Sequence, residues 1–245
     1  MTQQKKVALI TGANRGIGLE TAKQLGENGV TIVAAARTAP AAEETAAKLK
    51  QQGIDAYALQ LEVTSEADRK AAAKYLEEKF GKLDILINNA GVAASTGFAN
   101  VTSQVTDDEL ERIFDTNLFA VVALTRELLP LLKKSDAGRI VNLSSILGSL
   151  TLHADPTSPI ANFKSFAYDA SKSALNAYSI HLAHELKDTP IKVNSAHPGW
   201  VKTEMGTDAA PMEIPDGAKT SVALALLGAD GPSGRFIHLG QELPW

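Results

Sequence analysis

One short segment, FAYDASKSALNAYSIHL at 166–182, carries two side chains that could act together on a proton. Its pattern predicts a helix, which would place Tyr168 and Lys172 one turn apart on the same face. A phenol can donate a proton, but with a pKa of about 10 it exchanges protons slowly at neutral pH. A nearby cation favours the phenolate, so we expect Lys172 to lower the pKa of Tyr168. Taken alone, the pair is better explained as a surface tyrosine beside an extended lysine, and the rest of the chain has to decide.

A glycine-rich segment, TGANRGIG at 11–18, follows the first apolar run and opens a helical pattern. Gly12, Gly16 and Gly18 form a variant of the dinucleotide-binding fingerprint. Glycine permits the tight turn and lets the backbone approach a pyrophosphate. The following helix offers free N–H groups and the positive end of its dipole to that anion. This position in the chain predicts a nucleotide cofactor.

The residue after the second apolar run indicates which nicotinamide cofactor is used. An acid there would bind the ribose hydroxyl of NAD, whereas a basic residue would pair with the extra phosphate of NADP. The chain has Arg37 at this point and no acid until Glu43, and Arg15 lies within the glycine turn. Guanidinium groups bind phosphate through charge-assisted bonds. The sequence therefore predicts NADP(H), although two unrelated surface arginines are the alternative.

The elements that must position these residues alternate regularly. Seven apolar runs predict strands, at 6–11, 30–36, 55–61, 83–88, 138–144, 191–197 and 234–239. They lack polar–apolar alternation, as expected of strands buried on both faces, and helical patterns separate most of them. The pattern predicts an α/β fold: one Rossmann domain spanning 1–245, with a doubly wound, seven-stranded parallel sheet and helices on both faces.

Two proline-containing segments break this alternation, at 149–165 and at 203–217. Both are long for connecting loops, and each follows the carboxyl end of a predicted strand. Open α/β sheets bind ligands at that edge, so we expect the two segments to form the substrate side. Ordinary surface insertions are the alternative.

Composition excludes several classes of function. The chain has 245 residues, 44% of them hydrophobic, a net charge of −4, no cysteine and five histidines that form no ligand cluster. We therefore expect no disulfide, no metal site and no binding to nucleic acid or to a membrane. No apolar stretch has the length of a membrane span or a signal-peptide core, so a cytoplasmic location is expected by default. A serine hydrolase is disfavoured, because no GxSxG segment is present.

These motifs together resemble the classical short-chain dehydrogenase/reductase family over essentially the whole chain. The matching segments are TGANRGIG at 11–18, NNAG at 88–91, FDTNLFA at 114–120, IVNLSS at 140–145, YDASK at 168–172 and HPGWVKT at 197–203. Within the family, the carbonyl reductases are the most similar, through HPGWVKTEM and the closing GRFIHLGQELPW. The resemblance implies hydride chemistry by the cofactor, with the protein handling the substrate and one proton.

The resemblance assigns the catalytic roles. It implies Tyr168 as the proton donor and Lys172 as its partner, which also binds the nicotinamide ribose. Ser145, rather than its neighbour Ser144, would donate a hydrogen bond to the substrate oxygen. Asn117 would anchor a water that links Lys172 to solvent, and a polar residue that kinks the helix is a compatible interpretation.

A larger set of residues is implied to bind the cofactor and the substrate. The cofactor set is Gly12, Asn14, Arg15, Gly16, Ile17, Gly18, Arg37, Glu62, Val63, Asn89, Ala90, Gly91, Tyr168, Lys172, Pro198, Gly199, Val201 and Thr203. The substrate set is Ser145, Ile146, Tyr168 and Trp200, with Leu147 nearby. Glu62 stands where the family usually has aspartate, and its carboxylate could still contact adenine. Trp200 either forms an apolar wall for a bulky carbonyl compound or packs under its loop.

The resulting hypothesis is an NADPH-dependent carbonyl reductase that acts reversibly on a small-molecule ketone or aldehyde. The alternatives are an NADP-binding sensor or scaffold without turnover and a sugar-nucleotide epimerase, which usually has an added domain. The stretch between Ser145 and Tyr168 is longer than is usual in the family. In mammalian carbonyl reductases a still longer insertion covers a helix face used for oligomer contacts. Monomer and homo-oligomer therefore both remain open.

Overall fold

The computed structural model describes residues 5–94 and 101–245, so residues 1–4 and 95–100 of the predicted domain lie outside it. Within these ranges one sheet contains eight strands in the order β3-β2-β1-β4-β5-β6-β7-β8. They are β1 Val7–Ile10, β2 Thr31–Ala36, β3 Ala56–Gln60, β4 Ile85–Asn88, β5 Arg139–Leu143, β6 Lys192–Ala196, β7 Arg235–His238 and β8 Gln241–Glu242.

The first seven strands are parallel throughout, and β8 pairs antiparallel with β7. The sequence predicted seven strands and did not indicate β8. This short strand forms because Leu239 and Gly240, with φ angles of 44° and 82°, make a two-residue turn between His238 and Gln241. Leucine rarely adopts such an angle, so the sequence carried little signal for the hairpin.

The α-helices cover both faces of the sheet. They are α1 Gly16–Glu27, α2 Ala39–Gln51, α3 Glu66–Phe80, α4 Asp107–Phe114, α5 Ala120–Leu132, α6 Leu150–Ala154, α7 Phe166–Glu185 and α8 Ile214–Ala225. Side chains of α1, α2 and α8 pack in one core cluster, and those of α3, α5 and α7 pack in another. The predicted fold class, a doubly wound α/β domain, is confirmed. In the described part of the chain, no helix combines the length and apolar character needed to cross a bilayer.

Strand β1 shows why the strands lacked polar–apolar alternation. Val7 and Leu9 belong to the cluster on one face of the sheet, whereas Ala8 and Ile10 belong to the cluster on the other. All four side chains are buried, because helices cover both sides. Because this central strand is packed on both faces, its carboxyl end fixes the position of the glycine turn that follows.

Three local features add detail that the sequence analysis did not give. The segment 149–165 contains the short helix α6, which begins at a Ser149 side-chain cap. The loop predicted at 203–217 ends earlier, because α8 begins at Ile214 with Pro215 in its first turn. Between α4 and α5 the helix continues through a π-helical segment, Asp115–Phe119.

Arg139 lies at the amino end of β5, at the opposite edge from the predicted site. It is almost fully buried, and its guanidinium donates to the carbonyl groups of Gly138, Pro190, Leu227 and Gly228. Burial lowers the pKa of this guanidinium, because the charged form loses its hydration. These bonds fasten the segment after α8 to the sheet.

Candidate active site

The residues predicted to bind or react all lie near the carboxyl edge of the parallel sheet. They follow β1 at 12–18, β2 at 37, β3 at 62–63, β4 at 89–91, β5 at 145–146 and β6 at 198–203. Three others come from helices: Asn117 from the π-helical segment, and Tyr168 and Lys172 from α7. Carboxyl ends of parallel strands meet at one edge, which is where open α/β sheets bind ligands.

The glycine turn is held by the segment after β4. Thr11 Oγ1 accepts hydrogen bonds from the backbone N–H groups of Asn89 and Ala90, both at 2.9 Å. Asn89 Nδ2 in turn donates to the carbonyl of Thr11 at 2.7 Å. A Cβ atom on Gly18 would lie 2.4 Å from Gly12 O, so this close approach requires glycine. The turn is fixed before any ligand binds.

The start of α1 fits the anionic part of a dinucleotide. Arg15 stands at the N-cap position, and its side chain does not cap the first N–H groups of the helix. Gly16 has a φ of 54°, and a Cβ there would lie 3.4 Å from the methyl group of Thr203. The loop after β6 therefore closes against the glycine turn. Asn14 is exposed and Ile17 is half-buried beside it.

The two arginines predicted to bind the extra phosphate of NADP differ in their surroundings. The side chain of Arg15 forms an ion pair with Glu204, and both groups are mostly exposed, at 64% and 74%. Arg37 is exposed at the end of β2, and within residues 5–94 and 101–245 its side chain has no hydrogen bond or ion pair. The sequence did not single out Glu204, although it directly follows the predicted Thr203.

The carboxylate of Glu62 is turned toward its own loop. Its Oε1 accepts bonds from the backbone N–H and the hydroxyl of Thr64, at 3.3 and 3.0 Å. Val63 is buried beside it. A contact between Glu62 and adenine would compete with these bonds.

Ser145 and Tyr168 are hydrogen-bonded through their side chains. Ser145 lies just after β5, where its hydroxyl also accepts a bond from the backbone N–H of Leu147 at 3.2 Å. Ser144 is buried, and its hydroxyl has no hydrogen-bond partner in the described part of the chain. The geometry therefore joins Ser145, not Ser144, to the phenol.

Lys172 connects this pair to the segment after β4. Its Nζ donates to the carbonyl of Leu143 at 2.8 Å and lies 5.6 Å from the ring centroid of Tyr168. A Cβ on Gly91 would lie 3.6 Å from the same nitrogen. The amine thus stands between the phenol and the backbone that supports the glycine turn.

The pKa of Tyr168 is raised in this structure, whereas the sequence led us to expect a lowered value beside Lys172. Burial raises the pKa of the phenol to about 12, while the bond to Ser145 acts in the opposite direction and Asp169 raises the pKa further. Burial also lowers the pKa of the Lys172 amine to about 8. The sequence indicated that the phenol and the amine are close together, but it could not show that both are buried away from water. Desolvation is the largest influence on both pKa values.

Both polar atoms of the Asn117 side-chain amide are hydrogen-bonded. Its Oδ1 accepts from the N–H of Val92, and its Nδ2 donates to the carbonyl of Val92 and to the hydroxyl of Ser171. A Cβ on Gly91 would lie 3.3 Å from Asn117 Oδ1, which places this amide near Lys172. The π-helical segment agrees with the interpretation of a distorted helix, which is compatible with a functional role.

The loop after β6 is shaped by its own contacts. Gly199 has a φ of 90°, and a Cβ there would overlap the sulfur atom of Met212. Val201 is buried and forms a β-bridge with Met212, while Pro198 is half-buried. The indole N–H of Trp200 donates to the carbonyl of Gly206 at 2.7 Å, and 48% of the residue remains exposed. Trp200 therefore anchors the loop and still presents apolar surface.

His197 is a site residue that the sequence reasoning missed. Its Nδ1 accepts the backbone N–H of Ile146, the residue after Ser145, at 3.2 Å. Burial, with a smaller contribution from His238, lowers the pKa of His197 to about 3, so the ring is neutral and can accept this bond. The only signal in the sequence was its place immediately before the Pro–Gly pair.

The doubly wound sheet, the glycine turn and the linked serine, tyrosine and lysine define an oxidoreductase of the Rossmann type. A family model described as short chain dehydrogenase matches residues 6–214, and the chain belongs to the short-chain dehydrogenase/reductase family, whose members use nicotinamide cofactors. The predicted family is thereby confirmed.

Named relatives include reductases. Short-chain dehydrogenase/reductase 1 of Saponaria officinalis is 33% identical, and the match covers 99% of this chain and 97% of that protein. Salutaridine reductase of Papaver somniferum is also 33% identical, over 97% and 96%. Among solved structures, NADPH-bound carbonyl reductase from chicken fatty liver has a TM-score of 0.86 at 29% identity, covering 99% of this chain and 100% of that one.

Proposed function

We propose that the protein is an NADPH-dependent carbonyl reductase that reduces a ketone or aldehyde, and that it also runs in reverse as an alcohol dehydrogenase. The observation that carries the proposal is the hydrogen bond between Ser145 and Tyr168 beside the buried amine of Lys172. A substrate oxygen that replaced this bond would meet two hydroxyl donors at once. Similarity to an NADPH-bound carbonyl reductase supports the same assignment.

The cofactor would be held by the glycine turn, the two arginines and the segments after β4 and β6. The N–H groups at the start of α1 would bind the pyrophosphate, and Arg37 with Arg15 would bind the extra phosphate. The segments after β4 and β6 would line the rest of the cofactor. When bound, NADPH supplies the hydride.

The protein's own part is the handling of charge on the substrate oxygen. Ser145 would donate a hydrogen bond to the oxygen as negative charge develops on it. Tyr168 would transfer its proton, and its high pKa keeps it protonated at neutral pH. Lys172 would stabilise the phenolate that forms. The segment 149–165 and the loop after β6, including Trp200, would form the substrate side.

Tyr168→Phe tests the proton donor, with Tyr178→Phe as the matched control on the same helix. We expect the first variant to lose at least about 100-fold in kcat for carbonyl reduction, because the general acid is gone. NADPH binding, measured by fluorescence, should be unchanged. Retained turnover in Tyr168→Phe would refute the assigned acid. NADPH binding without turnover of any carbonyl compound by the unaltered protein would instead favour a sensor.

Arg37→Asp tests the choice of cofactor, with Arg126→Asp, an exposed residue of α5, as the control. Loss of a charge-assisted contact should weaken transition-state binding with NADPH by roughly 1–3 kcal/mol, measured from kcat/KM. NADH use should not fall, because an acid at this position can bind the ribose hydroxyl of NAD. Both cofactors should be measured with the same carbonyl substrate. A clear preference of the unaltered protein for NADH would contradict the proposal.

A further inference from the structure

The side chain of His197 joins the chain segments that follow β5 and β6. Where the two strands end, the link is still a backbone bond, from the N–H of Ser144 to the carbonyl of Ala196 at 2.8 Å. Two residues after Ser144, the backbone N–H of Ile146 donates instead to His197 Nδ1 at 3.2 Å. The histidine thus adds one bond to the ladder at the point where the chain enters the turn of Ser145.

The turn of Ser145, residues 145–148, determines where the serine hydroxyl lies. The N–H of Leu147 donates to Ser145 Oγ at 3.2 Å, and the N–H of Gly148 donates to the Ser145 carbonyl at 2.8 Å. That carbonyl and the N–H of Ile146 belong to one peptide unit, which is planar. Bonds at both of its ends, to Gly148 and to His197, therefore fix the orientation of the backbone from which the hydroxyl projects.

His197 is held in place by β7. Its backbone N–H donates to the carbonyl of Ile237 at 2.8 Å. Its carbonyl lies 2.9 Å from His238 Nδ1, and since a carbonyl can only accept, that nitrogen carries a proton. The two imidazole rings are in contact, with centroids 4.7 Å apart, and His197 is only 8% exposed. The side chain therefore has little freedom to turn away from Ile146.

The contact with Ile146 also defines the protonation of the His197 ring. Nδ1 can accept an N–H only when it carries no proton itself, so the ring is the neutral imidazole with its proton on Nε2. An imidazolium would instead present an N–H to the N–H of Ile146. The bond thus requires an acceptor atom at this position, which an apolar side chain of similar shape cannot supply.

We propose that His197 is a positioning residue for Ser145: it fixes the peptide unit that follows the serine and so holds the serine hydroxyl in place in the site. The inference rests on the proposed function only for its consequence in catalysis. His197 contacts no reacting atom in this role, because its bond is to the backbone of Ile146. Since it directly precedes Pro198, it also joins the turn of Ser145 to the loop after β6.

Three substitutions in the full chain separate the acceptor from the ring. His197→Leu places a methyl group near the position of Nδ1, whereas His197→Asn can place an amide oxygen there, and both lose the rest of the ring. His197→Phe keeps a ring but has no acceptor. The control is His184→Leu, the same change at an exposed position of α7. Comparison of the first two variants therefore isolates the hydrogen bond to Ile146 from the filling of space.

The first measurement is amide hydrogen exchange by NMR, which needs neither cofactor nor turnover. We expect the amides of Ile146 and Leu147 to exchange about tenfold faster or more in His197→Leu and His197→Phe than in the unaltered chain. Leu147 reports on the serine directly, because its acceptor is Ser145 Oγ. The buried amides of β4 serve as the reference for any general loss of stability.

The conservative variant decides the outcome of this measurement. His197→Asn should restore most of the protection of the two amides, and His184→Leu should retain it. Equal exchange in His197→Leu and His197→Asn, after correction by the β4 amides, would show that the ring only fills space and would overturn the proposal.

The second measurement is the steady-state reduction of a carbonyl substrate with NADPH. A displaced serine hydroxyl weakens binding of the transition state, so His197→Leu should lower kcat about tenfold or more and change KM less than about threefold. His197→Asn should recover most of kcat. A loss of equal size in both variants, or a loss confined to KM, would contradict the positioning role.

A double variant shows whether the histidine acts through the serine. Because Ser145→Ala removes the hydroxyl, adding His197→Leu to it should lower kcat by less than about a further twofold. Losses that multiply would mean that the two residues act independently, and the proposal would fail. Restored amide protection in His197→Asn of a protein that reduces no carbonyl compound would uphold the positioning of Ser145 and refute the proposed function.

Discussion

Lys172 is buried as a cation, and its burial should make the stability of the protein depend on pH in a defined direction. Burial lowers the pKa of the amine from 10.5 to about 8 in the folded protein. The charged form is therefore disfavoured by folding, at a cost of roughly 3 kcal/mol below pH 8. This cost disappears as pH rises from the folded pKa toward the unfolded one. Over that window the folded state should become more stable.

The size of the effect follows from the two pKa values. Between about pH 7 and about pH 9.5, linkage predicts that the penalty falls by about 2 kcal/mol. Lys172→Met has no amine to deprotonate and should lack this gain. Lys187→Met, an exposed lysine near the end of α7, should behave like the unaltered chain.

Urea unfolding at the two pH values measures this difference directly. Other groups also titrate in this range, so the informative quantity is the change in free energy of unfolding of each variant relative to the unaltered chain. We expect Lys172→Met to lose about 2 kcal/mol of relative stability between pH 7 and pH 9.5. Equal pH dependence in the unaltered chain and in Lys172→Met would show that the amine is not desolvated, and the reasoning would fail.

Two further predictions concern contacts away from the phenol. Arg139→Met should lower the free energy of unfolding by roughly 3 kcal/mol, because several buried carbonyl groups lose their donor. Urea unfolding beside Arg126→Met checks this, and a change within about 0.5 kcal/mol would contradict it. Glu204→Gln should tighten NADPH binding about two- to fivefold, because it frees Arg15 from an exposed ion pair of modest strength. Titration with NADH should show no such gain, and equal tightening for both cofactors would exclude competition for the extra phosphate.

The sheet could be predicted from the sequence because its strands are short apolar runs buried on both faces. The predicted 30–36 and 83–88 correspond to Thr31–Ala36 and Ile85–Asn88 in the structure. The hairpin of β8 could not be predicted, since it depends on pairing with β7 and on a leucine with positive φ. Helix α6 was missed for a different reason: a helix this short gives too little periodicity to recognise.

The placement of the predicted site residues at the carboxyl edge of the sheet could be predicted, because each of them directly follows a strand or belongs to a recognised motif. The bond between His197 and Ile146 had no such signal, since no fixed spacing joins residues that follow two different strands. The sign of the pKa shift of Tyr168 was also out of reach. It depends on burial, which a helical pattern does not report and which is the largest cause of the shift.

Because of the π-helical segment Asp115–Phe119, the position of Asn117 depends on the number of residues between α4 and α5. A wide turn accommodates one residue more than an α-helical turn, so removing a single residue could let α4 and α5 merge into one regular helix. Each residue of an α-helix is rotated by about 100° from the last, and Asn117 would then be carried away from Val92 and Ser171. The core packing of α5 could survive such a deletion while the amide beside Lys172 is lost.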